Sequence, residues 1–208
     1  MNRYTQVTIN GEDRIAEVQQ FGRAIGLDAA APNRYSTLLL IELYAETMLK
    51  QRMNPAKVVH EIRNLEAGTQ TVGTKPPTPF RHPPLRGLWH KHYLQDGIRS
   101  MAMNLRNALK QYGLPMFEER VREAQEANEE RYLAAEDVGA IAHDAVMGNY
   151  MRRSEASELT GEWIIYAQHE EKNYYLCLGQ HDSGDDVLRK KIDDLCSREF
   201  PFLAMLLA

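Results

Sequence analysis

The sequence predicts an α+β fold, in which a predominantly helical body carries a small antiparallel sheet near the C-terminus. Apolar residues recur at helical spacing through much of the first 150 residues. Two apolar runs, Trp163 to Ala167 and Tyr174 to Leu178, flank a short polar stretch and predict a β-hairpin. A helical pattern from about Asp185 to Glu199 follows this hairpin. The length of 208 residues suits a single domain that spans residues 1–208.

Capping residues predict where two of the N-terminal helices begin and end. Ser36 can cap a helix that runs to about Met53, and its apolar residues cover most of its circumference, as in a buried helix. Asn54 and Pro55 supply an N-cap and a first-turn proline for the next helix. Gly68 is placed to end that helix in the left-handed conformation.

The pattern leaves the register and extent of the sheet open. Alternation from Arg3 to Ile9 predicts a further strand that could join the hairpin. A three-residue hairpin loop, Glu171 to Asn173, would place His169 and His181 on one face of the sheet. A loop of two or four residues would place them on opposite faces, because a slip of one residue reverses every side chain.

Composition predicts an ordinary cytoplasmic globular protein. The net charge is −4, and 43% of the residues are hydrophobic. The two cysteines, Cys177 and Cys196, have the character of small buried residues in a reducing compartment. Because the N-terminus has no apolar targeting segment and Leu38 to Leu43 is far shorter than the ~20 residues of a membrane span, we expect no membrane partner.

Two connecting segments differ from the rest of the chain. Residues 69–87 contain five prolines together with Phe80 and Leu85, and we predict an ordered, proline-rich loop that packs onto the body. Residues 117–133 are rich in glutamate, which predicts an acidic solvated helix or a connector.

Positive charge is concentrated in one part of the sequence. Residues 75–110 contain seven basic residues and one acid, Asp96, although the chain as a whole is negative. Such asymmetry indicates an anionic partner, for example RNA. Arg81, Arg86 and Lys91 are therefore the candidate nucleic-acid-binding residues. Simple packing of the basic segment beside the acidic one would explain the same pattern.

The basic segment also contains three histidines, His82, His90 and His92. Imidazoles titrate near neutral pH, so a pair can serve as general base and general acid without a metal or other cofactor. His90 and His92 share a face only if the segment is extended. We take His90, His92 and His181 as the candidate catalytic residues. Structural hydrogen bonding within a proline-rich loop is the alternative.

A metal site has less support in the sequence. Zinc would require further ligands from His169, His181 or an acid, and no HExxH-type spacing occurs. Neither a phosphate-binding glycine loop nor a nucleophile elbow is present. We therefore predict no metal and no cofactor.

One short segment resembles a known family. Glu158 to Trp163 and the two predicted strands after it resemble the central sheet of RelE-like bacterial toxin RNases over about forty of the 208 residues. The resemblance implies an RNase fold element, and it places none of the family's catalytic residues on this chain.

Three functional hypotheses follow. The first is a small intracellular nucleic-acid-acting enzyme, an RNase-like toxin or defence effector, with histidine acid–base catalysis and phosphate-binding Arg81, Arg86 and Lys91. The second is a non-enzymatic adaptor or inhibitor that binds a protein through the 80–93 loop, with Trp89, Tyr93 and Arg86 as anchors. The third is a zinc-dependent hydrolase. The sequence leaves open whether the protein is an enzyme.

Overall fold

A computed structural model describes residues 4–95, 97–128, 134–159, 161–180 and 183–208, with the backbone alone at Arg99. The chain divides into two compact units. The first comprises the described residues within Met1–Thr71, Lys75–Asp96 and Gly161–Ala208, and the second those within Val72–Thr74 and Gly97–Thr160. A compact unit need not be an independent domain, so the single domain stays a prediction.

The first unit contains a four-stranded sheet and the helices that cover it. Its helices are α1 (Ile15–Ala24), α2 (Leu27–Ala30), α3 (Thr37–Tyr44) with a π-helical turn (Ala45–Leu49), α4 (Pro55–Ala67), α9 (Asp185–Leu195) and α10 (Leu203–Leu206). Its strands are β1 (Thr8–Ile9), β2 (Glu12–Asp13), β3 (Thr78–Pro79), β4 (Leu88–Tyr93), β5 (Glu162–His169) and β6 (Lys172–Gly179). This α+β architecture confirms the predicted fold class.

The sheet is antiparallel, with strand order β3-β4-β5-β6. Strand β4 differs from the sequence interpretation, which treated residues 80–93 as a loop. The strand at the N-terminus also differs, since β1 pairs with β2 in a separate hairpin and not with the four-stranded sheet. Pairing of Leu88 with Ala167 and of Tyr93 with Glu162 places β4 beside β5 along its whole length.

Helices cover both faces of the sheet, and each face has its own core. On the first face, Tyr93, Ile164 and Tyr166 pack in one cluster with residues of α3 and α4. On the second face, Leu88, Ile165 and their neighbours pack with residues of α9 and the C-terminal tail. Alternation along a strand therefore assigns each side chain of β4 to one core or the other.

The turn between β5 and β6 is a two-residue turn at Glu170 and Glu171, both of which have positive φ. This geometry is that of a type I′ hairpin. Of the loop lengths that the sequence leaves open, the two-residue loop is the one observed, and the three-residue loop Glu171 to Asn173 is excluded. A β-bulge lies farther along, where Ile165 pairs with Cys177 and Tyr166 pairs with Tyr175. His181 lies outside the described residues, so its predicted relation to His169 stays a prediction.

Three predicted helix termini are confirmed, whereas the helix that Ser36 begins ends with its π-helical turn at Leu49 and not at about Met53. The Ser36 side chain accepts a hydrogen bond from Leu39 N at 2.9 Å and begins α3. Asn54 accepts one from Ala56 N at 3.1 Å at the start of α4. Gly68 ends α4 with φ 64°. Both cysteines are free and buried.

The second unit is helical. It contains α5 (Ile98–Tyr112), α6 (Pro115–Glu126), α7 (Ala135–His143), a π-helical turn (Asp144–Gly148) and α8 (Asn149–Glu155). Most of the described part of the acidic segment 117–133 belongs to the largely exposed helix α6, and residues 129–133 lie outside the described residues. No helix in the described part of the chain is both long and apolar enough to cross a bilayer.

Candidate functional site

Strand β4 separates the predicted site residues onto opposite faces of the sheet. Trp89 and Lys91 lie on the first face, whereas His90 and His92 point to the second. Because a sheet lies between them, a single ligand cannot contact Lys91 and the histidine pair at the same point. The structure brings the two histidines together but does not bring them to Lys91.

His90 and His92 belong to a cluster of rings on the second face. Their ring centroids are 5.5 Å apart, and the ring of His90 lies 4.8 Å from Phe80 and 5.1 Å from Trp163. His92 is 4% exposed, and its Nδ1 lies 3.0 Å from the carbonyl oxygen of Gly161. This packing fixes the orientation of His92, and it leaves His90, which is half-buried, as the more accessible ring.

The other histidines lie apart from this pair. His82 is exposed in the proline-rich loop. His169 is at the far end of β5, where its ring stacks on Phe202 with a centroid distance of 4.2 Å. The candidate His181 is outside the described residues. Within the described ranges, no group of three or more histidine, cysteine, aspartate or glutamate side chains could hold a metal ion.

The proline-rich loop presents basic side chains to solvent. Arg81 and Arg86 are exposed, while Phe80 packs against the second core and Leu85 is fully buried in it. Residues 69–87 contain Lys75, Arg81 and Arg86 but no aspartate or glutamate. The loop is thus an ordered, uniformly basic surface anchored by its apolar side chains.

Lys91 is held by protein groups. It is 2% exposed, and its Nζ donates a hydrogen bond to the carbonyl oxygen of Lys75 at 2.8 Å. The nearest carboxylate oxygen, Glu61 Oε2, lies 3.5 Å away and also accepts a hydrogen bond from Thr71 Oγ1 at 2.5 Å. Burial lowers the pKa of Lys91, and the charge of Glu61 opposes that shift. The Lys91 ammonium is therefore part of the buried layer beneath the first face of the sheet, here called the floor.

Above this floor lies an open cleft of about 240 Å³. Trp89 and Tyr166 contribute aromatic rings, which stack with a centroid distance of 6.4 Å and an interplanar angle of 29°. Pro76 and Pro77 form part of its rim, as do the end of α4 and the residues after it. Four amide side chains also line the cleft, namely Asn64, Gln70, Gln168 and Asn173.

A smaller cleft of about 190 Å³ adjoins the first and shares Leu65 and Asn173 with it. Arg34 and Glu66 form an ion pair there, and Glu66 also accepts a hydrogen bond from the Tyr175 hydroxyl at 2.7 Å. The hydrogen bonds of Arg34 and Tyr175 together lower the pKa of Glu66, although burial opposes them. The Arg34 and Glu66 charges of the smaller cleft are thus largely compensated within the protein.

Sequence reasoning missed the larger cleft because its lining comes from separated segments, residues 64–70, 76–77, 89–91 and 166–173. No local motif unites them. Of the anchors proposed for protein binding, Tyr93 is only 2% exposed and is a core residue, whereas Trp89 lines the cleft.

Comparison with family models, curated proteins and solved structures found no match for this chain.

Proposed function

We propose that the protein binds single-stranded RNA, with one unstacked base held in the cleft over Trp89. The observation that carries this proposal is the combination of a half-buried tryptophan, a lining of amide side chains and a rim, Pro76 and Pro77, that directly follows the exposed Lys75. Sequence-dependent RNA recognition commonly stacks a splayed base on an aromatic ring and bonds its edges with polar groups.

The size of the cleft favours part of a longer ligand. Pockets that enclose a whole small molecule measure roughly 300–1,000 Å³. The cleft is smaller, at about 240 Å³, and is open to solvent. A single base that projects from a strand fits such a space, while the rest of the strand stays outside.

The amides supply hydrogen bonds to the base. Gln168 Nε2 donates to Asn173 Oδ1 at 3.2 Å, and Asn64 Nδ2 donates to Thr71 Oγ1 at 2.8 Å. Each amide has two donor hydrogens and an acceptor oxygen. Asn64 also contacts His60 Nε2 and Thr69 Oγ1, and Asn173 Nδ2 donates to Glu66, so Gln70 and Gln168 retain most of the capacity for a ligand. Donors and acceptors are both present, as the edge of a base requires.

The phosphates would begin at Lys75, which immediately precedes Pro76 on the rim of the cleft. Arg81 and Arg86 are exposed farther along the same segment. They lie next to Phe80 and Leu85, which pack into the second core, so the RNA strand would have to pass over the edge strand β3 to reach them. Phosphate contacts of this kind are independent of sequence and weaken as salt rises, because binding releases counterions. Lys91 lies beneath the base, where Glu61, 3.5 Å from its ammonium, offsets its charge.

Fluorescence anisotropy with a labelled single-stranded RNA tests the stacking contact. Trp89→Ala should weaken binding about 5- to 150-fold, since a base–aromatic stack contributes about 1–3 kcal/mol. Trp163→Phe, which alters the ring cluster on the opposite face, is the matched control and should bind like the wild type. Absence of wild-type binding, or equal effects of the two substitutions, would contradict the proposal.

Salt dependence tests the loop. In Arg81→Ala/Arg86→Ala the slope of log K against log salt should decrease in magnitude by about 1.4, or about 0.7 for each lost phosphate contact to a single strand. The control Arg23→Ala/Lys190→Ala removes two exposed bases from α1 and α9, away from the cleft. An unchanged slope in the loop variant would remove these arginines from the interface.

RNA cleavage by His90 and His92 is a second candidate function, favoured by the 5.5 Å separation of their rings. Such a reaction would use a different part of the strand from the base in the cleft. Incubation of the protein with total RNA, with and without a chelator, separates the possibilities. Metal-independent cleavage that His90→Ala abolishes would support catalysis by His90 and His92. Cleavage that the chelator stops would support a zinc hydrolase. If the RNA stayed intact, RNA binding without cleavage would remain as the proposal.

A further inference from the structure

The helical unit has few buried apolar side chains. Among its described residues, Ala108 and Leu159 are the apolar side chains that are fully buried, and the buried polar group Asp144 lies between the helices. A helical unit ordinarily buries an apolar stripe against a neighbour. In this unit the large apolar side chains are instead exposed on two helical surfaces.

The first surface follows α7, the π-helical turn and α8. Exposed positions recur every four residues along this segment, at Val138, Ala142, Val146 and Tyr150. Val138 is 56% exposed, Val146 39% and Tyr150 43%, and Met147 and Met151 beside them are 51% and 53% exposed. The result is one continuous apolar face, here called the α7–α8 face, of a kind that marks interaction sites.

The second surface is on α5, where Ile98, Met101 and Leu109 are 83%, 54% and 38% exposed. The exposed bases Arg106 and Lys110 lie beside them. The sequence of α5 contains three basic residues and no acid. This α5 face is therefore apolar and positively charged.

The charge of the α7–α8 face is the opposite. Within residues 135–155, all of which the structure describes, the exposed carboxylates are Glu155, one turn after Met151, and Glu136, which borders the face at the start of α7, and His143 is also exposed. The arginines of the segment interact within the same unit. Arg152 Nη2 donates a hydrogen bond to Asp144 Oδ1 at 2.7 Å, and Arg153 is only 5% exposed. The two apolar faces are thus complementary in charge.

We propose that a second copy of this chain covers these faces, with α5 of each copy packed against the α7–α8 face of the other. A two-fold arrangement uses each of these two faces twice and forms a closed dimer. Within one copy α5 and α8 already form a pair, in which Asn149 Nδ2 donates to Gly113 O at 3.0 Å and Arg153 to Gln111 Oε1 at 3.0 Å. Two such pairs form a four-helix bundle.

Sedimentation equilibrium of the full chain tests this inference. We expect a reversible dimer of twice 23.9 kDa, and Val146→Lys should raise its dissociation constant about tenfold or more, because dimerisation would bury an ammonium against the basic α5 face. Val187→Lys on α9 is the matched control, since Val187 is 63% exposed on the other unit, and it should leave the dimer intact. A wild-type monomer at every concentration would overturn the proposal.

Charge reversal tests the choice of faces. Arg106→Glu/Lys110→Glu should weaken the dimer, and the addition of Glu136→Lys/Glu155→Lys to the same chain should restore it. Circular dichroism verifies that each variant is folded. If Arg106→Glu/Lys110→Glu left the dissociation constant unchanged, or if Glu136→Lys/Glu155→Lys did not restore the weakened dimer, these faces would not be in contact. The RNA proposal is unaffected by either result, because its residues lie in the other unit.

Discussion

Lys91→Met tests the floor of the cleft. The wild-type ammonium is 2% exposed, donates a hydrogen bond to the carbonyl oxygen of Lys75 at 2.8 Å and lies 3.5 Å from Glu61 Oε2. Methionine has a similar length and no charge. The substitution therefore leaves the Glu61 carboxylate, itself 4% exposed, buried without its cationic neighbour.

The expected cost follows from these contacts. Removal of one partner of a buried ion pair costs about 3–5 kcal/mol, because the remaining charge is uncompensated. Glu61 keeps its hydrogen bond from Thr71 Oγ1 at 2.5 Å, which places the expectation at the lower end, about 3 kcal/mol. Glu61→Gln in the Lys91→Met background removes the unpaired charge and should recover about 2 kcal/mol of this loss.

Urea denaturation of the four proteins of this double-mutant cycle gives the free energies of unfolding. Lys190→Met is a control for loss of a lysine, since the exposed Lys190 pairs with Asp194 on the surface of α9 and should have almost no effect. If Lys91→Met unfolded with the same free energy as the wild type, or if Glu61→Gln gave no recovery, the ion pair would not support the cleft.

Three further predictions concern stability. His92→Ala should lower the free energy of unfolding by about 2 kcal/mol in urea denaturation, because His92 is buried and hydrogen-bonded. It should leave RNA affinity unchanged, because His92 lies on the face of the sheet opposite the cleft. A loss of RNA binding without a loss of stability would contradict this. Glu199→Ala should cost about 1–3 kcal/mol in the same assay, because its carboxylate accepts a hydrogen bond from Thr37 N at 2.7 Å at the start of α3; an unchanged midpoint would refute that role. Alkali should destabilise the fold above pH 10, because burial raises the pKa of Tyr93, Tyr166 and Tyr175. These three tyrosines stay protonated in the folded protein and ionise in the unfolded chain, which lowers the free energy of unfolding by about 4 kcal/mol per pH unit at most. A urea midpoint that does not decrease between pH 9 and pH 11 would contradict this.

The fold could be predicted where local signals agree. Ser36, Asn54 and Gly68 determine helix ends through short-range hydrogen bonds and backbone preference, and each acts as predicted. The apolar runs of β5 and β6 likewise identified the hairpin. These features depend on neighbours within a few residues, so the sequence contains all the information that they need.

Strand β4 was missed for a physical reason. Its sequence has three consecutive polar residues, His90, Lys91 and His92, between Trp89 and Tyr93, and so lacks the alternation that predicts a strand. The strand is nevertheless central, because Glu61 lies beside Lys91 and Gly161 hydrogen-bonds to His92. These partners are distant in sequence, so no local pattern could reveal that the polar groups are satisfied inside the fold.

The same effect limited prediction of the site. Charge counting located a basic segment correctly, and Arg81 and Arg86 are exposed as a binding role requires. It could not show that β4 directs Lys91 to one face and His90 to the other, since that division depends on strand geometry. The hairpin register stayed open because the sequence allows loops of two, three or four residues, and the β-bulge shifts the pairing again.

Tryptophan fluorescence tests the proposed base stacking most directly. The chain contains two tryptophans, so Trp163→Phe leaves Trp89 as the only indole reporter. Titration of this variant with single-stranded RNA should quench its emission in step with the anisotropy change, and double-stranded RNA should quench little. Binding that leaves the emission of Trp89 unchanged would contradict a base held in the cleft.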